Sequence, residues 1–279
     1  NILGYGEKYG DRIVSFFKDE PIVGAYINGF VFIIIGFFFD KLWKNNFKSK
    51  VIVVFIILLL FSTVLITGER SSGIKVFLGI VLFFLLNTKL DLKAKIFTFL
   101  SVFIIFIFIL SNSNYLKNRY YHGFLYHITD SERLSKYIET QEYFELYKSG
   151  LAVFKDYPYF GVGNKNYRVV TIKYERIRKD YEISTHPHQI YIELLSEHGA
   201  IGTIIILLVI FSLMFKNIKI IILSRNSVQL GCFIYLLINF VPLIPSGSFF
   251  SDFPSTLFWL NLSIMYACNP KTNIFNVKR

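Results

Sequence analysis

Seven apolar runs limit what this chain can fold into: residues 21–39, 51–67, 71–88, 96–112, 200–215, 228–245 and 253–268. Each is long enough, or nearly so, to cross a bilayer, where a helix satisfies its own backbone hydrogen bonds. Several fall short of the roughly 20 residues a span needs, and Lys75 interrupts the third, so flanking residues and snorkelling side chains must complete them. A mean hydropathy of +0.48 and 31 Phe agree with an integral membrane protein and exclude an ordinary soluble domain. The expected fold is all-α and polytopic, with about seven transmembrane helices in a single membrane domain over 1–279.

Charge gives the expected orientation. The connections 40–50, 89–95 and 216–225, with the tail from residue 269, hold 13 Lys and Arg against two acids, Asp40 and Asp91. The other segments hold 17 of each sign, so the whole net charge of +11 sits on one face. By the positive-inside rule that face is cytoplasmic. The basic balance is then topological, and nucleic-acid binding is not needed to explain it. Residues 1–20, the turn at 68–70, the segment 113–199 and the turn at 246–252 fall outside. The chain starts on Asn with no signal peptide before it, which reads as the C-terminal part of a longer chain with an odd number of spans upstream.

Segment 113–199 is too long for a passive connection. It carries 13 of the 18 tyrosines, residues suited both to a membrane interface and to stacking on sugar rings. Tyr143, Phe144, Tyr147, Leu151 and Phe154 recur at helical spacing and predict an amphipathic helix that Pro158 ends. Gly161-x-Gly163 permits a tight turn, and without a preceding strand it is no dinucleotide fingerprint. We read it as a shaped turn that lets backbone approach substrate. The basic stretch at 174–181 reads as a mixed-charge solvated surface.

Three of the five histidines fall in 186–198, where this polar region gives way to an apolar run. Pro187 suits the first turn of a helix, and His188, Ile192, Leu195 and Gly199 follow at helical spacing, so a helix is expected to start with His188 in its first turn. Its electropositive end would favour neutral imidazole, the form a general base needs. The alternative is a set of polar residues ending a loop. His186-x-His188 by itself is a weak metal signal. Cys232 and Cys268 lie in apolar runs without ligand spacing and read as packing residues.

His188-Gln189, nine residues, Gly199, two residues and Gly202 together resemble the histidine motif of the O-antigen ligase and O-antigen polymerase family, bacterial membrane enzymes acting on lipid-linked glycans. The run from Leu151 through Asp156 and Pro158 to Gly161-Val162-Gly163 is similar to the family's helix, Asp, Pro, Gly-x-Gly segment. Gly68-Glu69-Arg70-Ser71-Ser72-Gly73 is similar to its short arginine motif, with Ile74 where Leu is usual. Asp11-Arg12-Ile13 and Asp19-Glu20-Pro21 add weaker likenesses. Tyr143 stands where the family pattern has an arginine four residues before Tyr147, and Arg133 takes that role only through an insertion.

The resemblance implies a glycosyltransferase of the GT-C type in the bacterial inner membrane, with its active face periplasmic. Its donor would be a polyprenyl-diphosphate-linked glycan, and its acceptor a hydroxyl of another glycan or of lipid A core. His188 would be the general base. Arg70, Arg133 and Arg12 would hold the departing diphosphate, which guanidinium matches bidentately, with His186 and Gln189 also facing substrate. No cofactor or metal is expected. Arg70 and Arg12 equally suit interfacial anchors. Two other classes stay open: a transporter of lipid-linked glycans, disfavoured by spans uncharged apart from Lys75, and a structural or receptor subunit.

Overall fold

A computed structural model describes residues 7–9, 12–15, 17, 21–43 and 46–273. Asp11, Asp19 and Glu20 lie outside the described residues. In chain order come β1 (Glu7–Tyr9), β2 (Arg12–Ser15), α1 (Val23–Leu42), α2 (Phe47–Ile66), α3 (Arg70–Leu86), α4 (Leu92–Asn112) and α5 (Asn114–Leu116). A π-helical segment, Lys117–Leu125, leads into α6 (Tyr126–Ile128), α7 (Ser131–Thr140), α8 (Glu142–Asp156), α9 (Tyr167–Tyr174) and α10 (Ile190–Phe215). The chain continues through α11 (Ile218–Leu223), α12 (Ser227–Asn239) and α13 (Asp252–Ala267). The fold is mostly helical; the antiparallel β1–β2 pair departs from the all-α expectation.

A helix falls on each of the seven apolar runs. By length and composition, four stretches are long enough to cross a membrane: Val23–Leu42, Phe47–Ile66, Leu92–Asn112 and Ile190–Leu223. The helices α3, α12 and α13 have 17, 13 and 16 residues. The run 228–245 is not one continuous helix. α12 stops at Asn239, about 20 Å long at a helical rise, and the chain then turns through Pro242 and Pro245 without regular structure.

The chain divides into two compact units, Asn1–Tyr126 with Asn217–Asn239 and Leu257–Arg279, and His127–Lys216 with Phe240–Thr256. In the first, α1 packs on α2, α3 and α12. The α1–α12 contact is backbone on backbone: a Cβ at Gly36 would overlap the Ser227 carbonyl, and one at Gly231 the Phe32 carbonyl. Small residues at such crossings let apolar helices approach closely. Two carboxylates cap helix ends far from them in sequence. Glu69 accepts from Gly24 N at 2.5 Å and Ala25 N at 3.0 Å at the start of α1, where Ile22 offers no side-chain acceptor. Asp40 accepts from Ser227 N at the start of α12 and from Lys89.

In the second unit α8 lies against α10. The expected amphipathic helix is there, and Tyr157 and Pro158 follow its end. Its buried face is rotated from the predicted stripe, running through Leu146, Tyr147, Ser149, Gly150, Ala152 and Val153, with Leu151 exposed. The small residues are inside because their neighbours come close. Gly150 abuts Ile192 and Pro187, and the Ser149 hydroxyl bonds the hydroxyl of fully buried Tyr167 at 2.8 Å.

Candidate active site

The second unit carries the histidine pair, and three segments shape it. The first is the start of α10. That helix begins at Ile190, two residues later than the spacing suggests, because Gln189 is its N-cap: the side-chain Oε1 accepts from Ile192 N at 2.9 Å. Gln189 is 3% exposed, so this amide is built into the turn. His188 therefore precedes the helix and does not lie in its first turn. Its φ of 54° is incompatible with helix and unusual for a residue with a side chain.

The second segment is the stretch 184–188. Pro187 is buried against Gly150, which turns the flanking histidines toward each other. The imidazoles of His186 and His188 lie against each other with centroids 3.9 Å apart and planes tilted by 37°, and Tyr143 meets His188 edge-on at 5.6 Å. Tyr143 is the position where the family pattern has arginine, so that departure falls at the histidine itself.

The third segment is the 240–251 turn. Ser246 N donates to the His188 carbonyl at 2.8 Å, and the Ser246 carbonyl faces His186 Nε2 at 3.4 Å. A carbonyl only accepts, so His186 carries its proton on Nε2 and accepts the Thr185 hydroxyl at Nδ1, 2.9 Å away. Burial, and then the neighbouring His188, push the His186 pKa down to about 4. With both ring nitrogens bonded to protein groups and the ring neutral, His186 is poorly placed to accept a proton from substrate.

Glu193 fixes the third segment. It is 1% exposed in the first turn of α10, and its carboxylate accepts the Ser248 hydroxyl and Phe249 N, the latter at 2.9 Å. Spacing alone gave no sign of this role. The cue was a pair of acids one helical turn apart, Glu193 and Glu197, at the head of an apolar run.

The glycines of the motif hold the frame. α10 breaks at Gly199, whose φ of 63° and ψ of −174° suit glycine alone. The break frees backbone groups that the 158–163 turn takes up. Val162 N and Gly163 N donate to the carbonyls of Ser196 and Glu197 at 3.1 and 2.8 Å, while Ala200 N and Ile201 N donate to those of Pro158 and Tyr159 at 2.8 and 3.2 Å. A Cβ at Gly161 would overlap the Glu197 carbonyl, and one at Gly199 the Tyr159 carbonyl. The close backbone approach expected of Gly161-x-Gly163 is thus toward α10. Glu197 bonds Lys165 N at 2.8 Å and Tyr167 N at 3.4 Å, capping α9.

The arginines belong to other elements. Arg133, on α7, has its backbone N–H on Asp130 at 2.9 Å and its guanidinium 4.0 Å from the same carboxylate, with the side chain 44% exposed. Arg70 and Arg12 belong to the first unit. Arg70 heads α3 and donates to the Gly123 carbonyl, while Arg119 donates to the Gly68 carbonyl at 2.9 Å. Arg12 sits on β2 and acts electrostatically on Glu69, whose pKa burial raises against its hydrogen bonds from Gly24, Ser72 and Ala25. Among the described residues no three His, Cys, Asp or Glu side chains converge as a metal-ligand set.

Four apolar stretches of span length, one of them starting two residues after a constrained histidine pair, define a multi-pass helical membrane protein. A family model described as O-Antigen ligase matches residues 55–207, more than half of the 279, and covers Arg70, Gly161, His188, Gly199 and Gly202. The chain belongs to that family, an enzyme family by that description. Neither a curated protein nor a solved structure matches it.

Proposed function

We propose that this protein is a glycosyltransferase moving a polyprenyl-diphosphate-linked oligosaccharide or repeat unit onto a hydroxyl acceptor. It works at the external face of the bacterial inner membrane, in a GT-C-type fold with about seven spans in this chain. The observation that carries the reading is the His186–His188 pair, inside the region matched to the family, with His188 in a strained backbone conformation that the Ser246 bond and the capped start of α10 sustain. Strain of that kind gathers at functional sites.

In the proposed reaction His188 takes the proton of the acceptor hydroxyl, and the oxygen attacks the anomeric carbon of the donor. The bond from that carbon to the diphosphate breaks, and the diphosphate leaves with the electron pair. Arg70, Arg133 and Arg12 are the cations proposed for the leaving group, a role that rests on the family resemblance. His186 completes the proposed substrate-binding set with Gln189, which contributes from within the turn as the cap of α10. No metal or cofactor enters the scheme. The acceptor is either another glycan chain or lipid A core.

The test is transfer of a labelled lipid-linked glycan by the purified full-length protein in vesicles, offered each acceptor in turn, with and without chelator. The label should pass to one acceptor with release of polyprenyl diphosphate, unchanged by chelator. Movement of intact lipid-linked glycan across the bilayer without transfer would make the protein a transporter instead.

A further inference from the structure

Three apolar side chains of the second unit stand largely in the open: Tyr159 (69% exposed), Phe160 (74%) and Ile177 (75%). All are fixed at one end of α8. The turn carrying Tyr159 and Phe160 follows that helix directly, and its backbone bonds Ala200 and Ile201. Asp156, the last residue of α8, accepts from Arg178 and from the Tyr181 hydroxyl at 2.5 Å, which brings the segment carrying Ile177 to the same place.

That place is the start of the apolar run of α10. Beyond Gly199 the outward side chains Ile204, Ile205 and Leu208 are 57%, 56% and 65% exposed, as lipid-facing positions of a span are. The exposed aromatics therefore continue a lipid-facing surface at its polar end, where aromatic side chains of membrane proteins gather. Cations flank them in the chain. Lys155, Arg176 and Lys179 are exposed, and of the nearby acids Asp156 and Asp180 are bonded to Arg178, while Glu175 is exposed. Apolar tips among basic residues match the boundary between acyl chains and anionic headgroups.

We propose that the turns at 157–160 and 176–179 form a lipid-surface anchor, with Tyr159, Phe160 and Ile177 entering the leaflet where α10 enters it and Lys155, Arg176 and Lys179 pairing with anionic phospholipid headgroups. The anchor sets the depth of the α8–α10 frame that bears the histidine pair. It is independent of the transfer chemistry.

The experiment uses the full-length protein in lipid nanodiscs, with its tryptophans replaced by Phe, Trp43 and Trp259 among them, and single reporters introduced as Phe160→Trp and Ile177→Trp. Both positions are open enough to accept the larger ring. In phosphatidylcholine–phosphatidylglycerol discs, lipids brominated near the headgroup end of the acyl chain should quench both reporters severalfold more than aqueous iodide does. The combination Lys155→Glu, Arg176→Glu and Lys179→Glu should reduce that quenching in mixed discs and leave it unchanged in pure phosphatidylcholine. Strong iodide quenching without lipid quenching would overturn the anchor. So would shielding from both quenchers, which would mean a protein covers the patch. Equal quenching by lipid with and without the cations would remove the anionic-lipid recognition.

Discussion

Glu193 and Ser248 meet side chain to side chain, the carboxylate accepting the hydroxyl, and through this contact the first turn of α10 holds the segment that bonds His186 and His188. Glu193→Ala leaves the Ser248 hydroxyl and Phe249 N without their acceptor and should cost about 1–3 kcal/mol of stability. It should also lower kcat for transfer more than it raises KM, because the turn fixes the histidines. Glu193→Gln can still accept from Phe249 N and donate to Ser248, so it should restore most of both. Steady-state kinetics of the two variants with thermal unfolding checks this; equal loss in both would point to the charge itself.

The stitch between α10 and the 158–163 turn leaves no room at its glycines. Gly199→Ala places a side chain at a φ of 63° and against the Tyr159 carbonyl, and Gly161→Ala places one at 65° against the Glu197 carbonyl. Backbone strain alone is of order 1–3 kcal/mol, and the overlaps add to it. Both variants should lose folded protein in detergent, measured as monodisperse yield and unfolding midpoint. Gly247→Ala, with its nearest neighbour 3.9 Å away, should behave as the parent.

Acid sensitivity should trace to His186. Its folded pKa of about 4 lies below the ordinary 6.5, so between those values the unfolded chain binds a proton that the folded chain does not. The contribution of His186 to stability should therefore rise with pH across that window and level off above it. The full shift sets a ceiling of about 3 kcal/mol, less for a ring partly open to solvent. From pH 5 to pH 8 the unfolding midpoint should move further upward for the parent than for His186→Gln; an equal change would assign the effect to other groups.

The apolar runs and the helix before Pro158 were legible because their signals are local: length, hydropathy, spacing and a breaker. The His188 to Gly202 spacing was legible as a family motif, while its physical reason was not. Gly199 breaks a helix so that the backbone of a distant turn can enter, and neither partner shows this alone. The start of α10 was misplaced because Pro187 suits a helix N-terminus, whereas here it packs on Gly150 and Gln189 supplies the cap. Glu69, Asp40, Glu193 and Glu197 serve backbone groups far along the chain, so sequence pattern alone does not reveal their roles. The end of α12 at Asn239 was missed for a related reason, since the apolar residues after it belong to the turn that folds against the histidines.

The orientation expected from charge is tested without activity. In a Cys232→Ala and Cys268→Ala background, Lys173→Cys should react with an impermeant thiol reagent added to intact cells, and Lys93→Cys only after the membrane is opened. Both positions are exposed. The reverse pattern would place the histidine pair on the cytoplasmic face.

The central claim is that His188 accepts the acceptor's proton, and the most direct measurement is glycan transfer by purified His188→Ala beside His186→Ala. Loss of a general base removes roughly 10²- to 10⁴-fold in rate. His188→Ala should lose transfer to that extent while still inserting and binding the lipid-linked donor, with His186→Ala affected less. Full transfer by His188→Ala would contradict the mechanism.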